Sequence, residues 1–249
     1  MDRLIYTSLS AMRALMDRQT VTAGNLANAN TTGFRGDMAD TQAIYLDATK
    51  GVTTARAQTG QNVQRADYKQ GAVVETGRDL DVALEGDAML SVQGADGQEA
   101  YTRRGDLKVA DTGLLTTGDG LPVLGDGGPI TLPPADKVTI DKTGAVWVVP
   151  TGGDPAQPQQ VDQLKLVSPA GSAITKQSDG LFHVAAGGTL PGDPTARLTS
   201  GALEGSNVDV TRTLTDMIEA SRSYETQVKL LSGAKEMDSS TAELMNLPS

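Results

Sequence analysis

Apolar side chains along the first 26 residues recur in alternating steps of four and three: Ile5, Leu9, Met12 and Met16, with Gln19, Ala23 and Leu26 continuing the spacing. Ser, Thr, Arg and Asp fill the other positions. This is the heptad seam of an amphipathic helix. The same spacing returns near the other end, through Val210, Leu214, Met217, Ser221, Tyr224, Val228 and Leu231. Asp209 or Asn207 is placed to cap that second helix, and Glu219 and Glu225 stand three or four residues from Arg222 and Lys229. At 1.5 Å per residue the two helices span ~40 and ~50 Å. Both seams are narrow, so they call for a partner rather than a broad core-facing contact.

Between the ends the period changes to two. From Gly77 to Asp87, Leu80, Val82 and Leu84 alternate with Asp79, Asp81, Ala83 and Glu85, the pattern of a strand with one face in water. Met89, Leu90 and Val92 run to a turn at Ala95-Asp96-Gly97, and Tyr101 to Val109 returns. Further Asp–Gly turn signals follow at 111–113, 119–120, 126–128, 141–144 and 179–180, which predicts an antiparallel β region. Residues 151–160 read as a loop, and residues 36–75, polar and aperiodic, as an extended linker.

The fold class expected is therefore mixed α and β. N- and C-terminal helices form a coiled-coil-like layer, and the middle of the chain forms a central antiparallel all-β domain. The boundaries are 1–35 plus 205–249 for a discontinuous helical assembly domain, 36–75 for the linker and 76–204 for the β-rich domain. Composition sharpens this division. Of 28 Gly, 27 lie between Gly24 and Gly205, and ten of 11 Pro lie between Pro122 and Pro194. Leu, Ile, Val and Phe make up about a fifth of the chain, a lean supply for a core.

The net charge of −10 leaves no basic stripe for nucleic acid. Zero Cys excludes a disulfide scaffold, a thiolate zinc site and a cysteine nucleophile. No apolar run approaches a membrane span, and Arg13, Asp17 and Arg18 interrupt the opening segment, so no signal-peptide core is expected. Asp79 and Asp81, ~6.7 Å apart along a strand, have the separation of a glycosidase pair, yet both are read on the solvated face. His183 is the single histidine and reads as a strand residue. No calcium loop, G-x-S-x-G, Walker or dinucleotide motif is present. Asn30-Thr31-Thr32 fits a glycosylation sequon but lacks a secretory context. Catalysis, cofactor and metal are all expected to be absent.

After the first helix comes Leu26-Ala-Asn28-Ala-Asn30-Thr31-Thr-Gly33-Phe34-Arg35, physically a helix stop. With Asn25 it resembles the N-terminal signature of bacterial flagellar axial proteins, the rod and hook subunits; Gly24 stands where that signature has the first Asn of a pair. A second stretch, Thr76-Gly-Arg-Asp-Leu-Asp-Val-Ala-Leu-Glu-Gly-Asp87 followed by Tyr101-Thr-Arg-Arg-Gly105, is similar to the family's shared β segment, with Ala88-Met89-Leu90 replacing its frequent Gly-Phe-Phe. A third is Ser200-Gly-Ala-Leu-Glu-Gly-Ser-Asn-Val208. The resemblance implies a structural, non-enzymatic subunit of the proximal rod in the basal body. It also implies passage unfolded through the flagellar export apparatus without a cleaved signal peptide, and assembly in the periplasm with other rod subunits and copies of itself. The paired ends would line a channel, with the β domain outside. No nucleic acid, small-molecule substrate or cofactor is implied. Two alternatives stay open: a different axial subunit, of the distal rod or hook, and a secreted β-rich carbohydrate-active domain.

Overall fold

The computed structural model describes residues 2–40, 43–45, 57–59 and 63–245. The chain forms two compact units, each built from separate stretches of sequence. The first comprises Met1–Ala27, Asp37–Arg65 and Asp209–Ser249. Its main elements are helices α1 (Asp2–Ala27) and α2 (Val210–Met245), which pack against each other. Strand Ala43–Tyr45 pairs antiparallel with Ala57–Thr59, and Asp37–Asp40 pairs with Val63–Ala66. The expected extended linker over 36–75 thus carries short paired strands. Alternation over three or four residues per strand is too brief to stand out in the sequence.

Helix α2 begins where the sequence offers two caps, and the structure uses Asp209. Its carboxylate accepts from the Arg212 N–H at 3.1 Å, and its carbonyl from the Thr213 N–H at 2.9 Å. The first of these bonds satisfies an amide that the first helical turn leaves without an internal partner, and the second opens the helix's own ladder.

The second unit comprises Asn28–Gly36 and Ala66–Val208. Its largest sheet is antiparallel, in the order Leu166–Val167, Met89–Gln93, Glu99–Thr102, Phe182–Val184, Ile174–Lys176. A three-stranded sheet joins Ala135–Ile140, Ala145–Pro150 and Gln159–Gln163. Two-stranded pairs include Val82–Leu84 with Leu198–Ser200 and Val73–Glu75 with Ala202–Glu204. The Asp141–Gly144 turn shows why Asp and Gly punctuate these strands. The Asp141 carboxylate accepts from the Thr143 N–H at 2.7 Å and the Ala145 N–H at 3.1 Å, while Gly144 takes a φ of 87°.

The main core gathers Val82, Leu84, Leu90, Val92, Leu107, Leu115, Val123 and Ile130 with their neighbours. A second cluster holds Met89, Tyr101, Val167, Phe182 and Leu190. Two expectations need correction here. The strand read from Gly77 to Asp87 extends only over Val82–Leu84, and all three of its residues are buried, so Ala83 does not face water. The return from Tyr101 to Val109 is broken into Glu99–Thr102 and Leu107–Val109. At the break Gly105 lies so close to the Val82 carbonyl that no Cβ would fit.

Candidate assembly surface and its buried anchor

The helical unit separates its small and large side chains. Ser8, Val21 and Thr22 of α1 are buried, as are Thr213, Ala220 and Ala234 of α2. Ser8 and Thr22 are two heptads apart with half-buried Leu15 midway, and Thr213, Ala220, Gln227 and Ala234 share a heptad position. Small residues on such a line let two helix backbones approach closely. Many of the large apolar residues are left outside. Leu9, Met16, Val210, Leu214, Ile218, Val228, Leu230 and Met237 are between 39% and 59% exposed.

The predicted seam is divided accordingly. On α1, Leu9 and Met16 are exposed and Met12 and Leu26 half-buried; the side chain of Ile5 lies outside the described residues. On α2, Met217, Tyr224 and Leu231 are half-buried, whereas Val210, Leu214 and Val228 are exposed. The buried line of α1 stands one residue, ~100° of helix, before the predicted seam. Arg18 and Asp216 join the two helices at 3.5 Å. Asn25 grips the Asp37 backbone with both side-chain atoms, Nδ2 donating to its carbonyl and Oδ1 accepting its N–H, each at 2.7 Å.

The signature loop after α1 is anchored in the β unit. Asn28 closes a turn, its carbonyl accepting from the Thr31 N–H at 3.1 Å and its Oδ1 from the Thr31 hydroxyl at 3.2 Å. Asn30 is exposed. Gly33, at a φ of 67°, donates its N–H to the Glu204 carbonyl at 2.8 Å, and a Cβ there would strike the Arg103 carbonyl. The Lys176 ammonium sits 3.9 Å over the Phe34 ring and donates to the Arg35 carbonyl at 2.7 Å.

Beneath this loop lies a cluster that sequence reading missed. Glu204 is 1% exposed, Arg103 1% and Arg35 3%. Arg35 meets Glu204 Oε1 at 2.7 Å, and Arg103 donates from Nε to Oε2 at 2.9 Å and again from its terminal nitrogen. The other Arg103 donors reach the carbonyls of Leu84, Gly86 and Ala88, so all five of its N–H groups are engaged. Gly71 donates its N–H to Glu204 Oε1 at 3.0 Å. Burial lowers the Arg35 pKa from its ordinary value, Glu204 opposes that, and Arg103 lowers it further. Asn207 completes the knot: its Oδ1 accepts from the Gly36 N–H at 2.7 Å, and its Nδ2 donates to the carbonyls of Asp67 and Lys69 at 2.8 and 3.0 Å. Three sequence motifs therefore meet in one place, each contributing one buried charge. The detectable signal was the lone charge in the first and third motifs, Arg35 and Glu204; the second carries several charges, and nothing local singles out Arg103.

The residues weighed for chemistry each have a structural partner. Asp81 is buried rather than solvated: it bridges antiparallel to Asp106 just before the short strand, and Arg78 Nε at 2.8 Å and the Thr76 hydroxyl at 2.7 Å take the place of water on its carboxylate. Asp79 is exposed and pairs with Lys137 at 3.2 Å. His183 lies in a strand opposite Thr175 and contacts Asp179 at 2.9 Å. Among the described residues no group of three or more His, Asp or Glu could hold a metal ion, and no helix is long and apolar enough to cross a membrane.

Three family models match the chain: flagella basal body rod protein over residues 5–35, the flagellar hook protein FlgE/F/G D1 domain over 83–148, and the flagellar basal body rod FlgEFG protein C-terminal region over 199–244. Flagellar basal-body rod protein FlgF of Salmonella typhimurium is 39% identical, over 99% of this chain and 100% of that protein. FlgF of Escherichia coli K12 is also 39% identical, with the same shares covered. Flagellar basal-body rod protein FlgG of Bacillus subtilis is 32% identical over 98% of each chain.

Proposed function

The chain belongs to the flagellar basal-body rod protein family, matching FlgF at 39% identity over nearly its full length, and is a structural subunit of that rod; from this premise we propose that it serves in the proximal rod, its terminal helices becoming fully ordered only on assembly. The observation that carries this reading is the row of large apolar side chains left exposed on α1 and α2. Water contact of that extent along two helices marks a surface awaiting a partner. Each Leu, Ile or Met buried there contributes roughly 1.5–3 kcal/mol before ordering costs, enough over several residues to offset much of the helix-ordering entropy.

The partners are other rod subunits and further copies of the chain, met in the periplasm after delivery by the flagellar export apparatus. The role is mechanical and non-catalytic, without nucleic acid, cofactor or small-molecule substrate. The FlgF matches favour the proximal rod over the distal rod and hook. Asp81 is buried against Arg78 and Asp79 pairs with Lys137, which gives no support to a carbohydrate-active pair.

Leu9→Asp and Leu214→Asp test the reading. Each variant keeps the Trp147 fluorescence of the folded β unit and fails to support rod assembly. Normal assembly by both refutes the seam as the docking surface. Circular dichroism of the isolated subunit tests the ordering step: complete, cooperatively melting helix content at both ends refutes it.

A further inference from the structure

We propose that Glu204 is a folding latch: it is the charge that lets Arg35 and Arg103 be buried side by side, so closure of the β unit waits for residues 200–208. The geometry supplies the reason. Two guanidiniums with almost no water contact share one carboxylate, Arg35 on Oε1 and Arg103 on Oε2. Each guanidinium carries a permanent charge, and desolvating one without a counter-charge is strongly unfavourable. With Glu204 absent the site would bury two like charges that repel each other, as the effect of Arg103 on the Arg35 pKa records.

The order along the chain gives this a direction. Arg35 and Arg103 precede Glu204, which lies 101 residues beyond Arg103, and a chain is made from its N-terminus. Until the last strand arrives, the loop at Gly33 lacks its Glu204 carbonyl, Gly71 lacks its Oε1 acceptor, and Gly36, Asp67 and Lys69 lack Asn207. Every one of these bonds belongs to the β unit. The incomplete unit therefore has both an electrostatic obstacle to closing and several unmade backbone bonds.

The test uses the full chain, with its single Trp147 as the reporter of the β unit, and compares wild type, Glu204→Gln, Arg35→Met and Arg35→Met/Glu204→Gln. In Glu204→Gln the urea midpoint falls by about 1–2 M, and refolding slows at least about tenfold because the latch acts before closure. Arg35→Met lowers the midpoint in the wild-type background and raises it in the Glu204→Gln background, since there it removes one of two repelling charges. Should Glu204→Gln show no cooperative transition, its recovery in the double variant supports the latch. The proposal is overturned if Glu204→Gln refolds at the wild-type rate, if Arg35→Met destabilises both backgrounds, or if the double variant also lacks a transition.

Discussion

Tyr101 shows how one buried residue ties stability to pH. Its ring is part of the second core cluster, and its hydroxyl accepts the Leu190 N–H at 2.5 Å. Burial pushes its pKa up to about 12 from the ordinary phenol value near 10. The fold thus favours the neutral phenol. That contribution is complete below pH 10 and is lost as pH rises through 12. Urea melts across this window should show wild type losing stability more steeply than Tyr101→Phe, which starts lower by about 1–3 kcal/mol because the Leu190 amide is left unpaired. Parallel slopes for the two proteins would dismiss Tyr101 as the responsible group. Little of this was visible in the sequence, where Tyr101 is one more apolar residue in an alternating run. The same holds for Glu204, whose neighbours suggest a surface turn. Periodicity reports which face of an element is apolar, and it carries no information about a partner a hundred residues away.

At the scale of elements, the ends of α2 and the loop after α1 divide their labour between two residues that the sequence leaves interchangeable. Asp209 caps the helix, whereas Asn207 ties Gly36, Asp67 and Lys69 together. Asp209→Ala should therefore weaken the start of α2 by about 1 kcal/mol. Hydrogen exchange should quicken at the Arg212 and Thr213 amides and remain unchanged in the five-stranded sheet. Asn207→Ala should do the reverse, loosening the β unit and sparing the helix start. Identical exchange patterns in the two variants would contradict this division. The helices and the Asp–Gly turns were legible because each rests on local chemistry: heptad spacing, a capping oxygen, a glycine with positive φ. The short strands of 36–75 and the interrupted return at Arg103 were not, because pairing with distant segments determines them. The exposed line through Leu9, Met16, Leu214 and Val228 lies beside the buried line of small residues, and both share one heptad rhythm. Hydrophobicity alone pointed to the larger residues and overlooked Ser8, Thr22 and Ala220.

For the whole molecule, the weaving of chain between the two units has a consequence for cutting it. Neither unit is one continuous stretch: α1 and α2 come from opposite ends, and Gly33, Arg35 and Gly36 are held by Glu204 and Asn207. A backbone break at an engineered protease site between residues 45 and 57 would yield two fragments under denaturing conditions. In native buffer they should elute together, because the shorter piece carries Gly33, Arg35 and Gly36, which Glu204 and Asn207 of the longer piece hold in the β unit. Separate elution would show that covalent continuity alone keeps the ends in place. A rod part exposed to proteases could, on this basis, survive a severed main chain as a complete particle, its cohesion outlasting its connectivity.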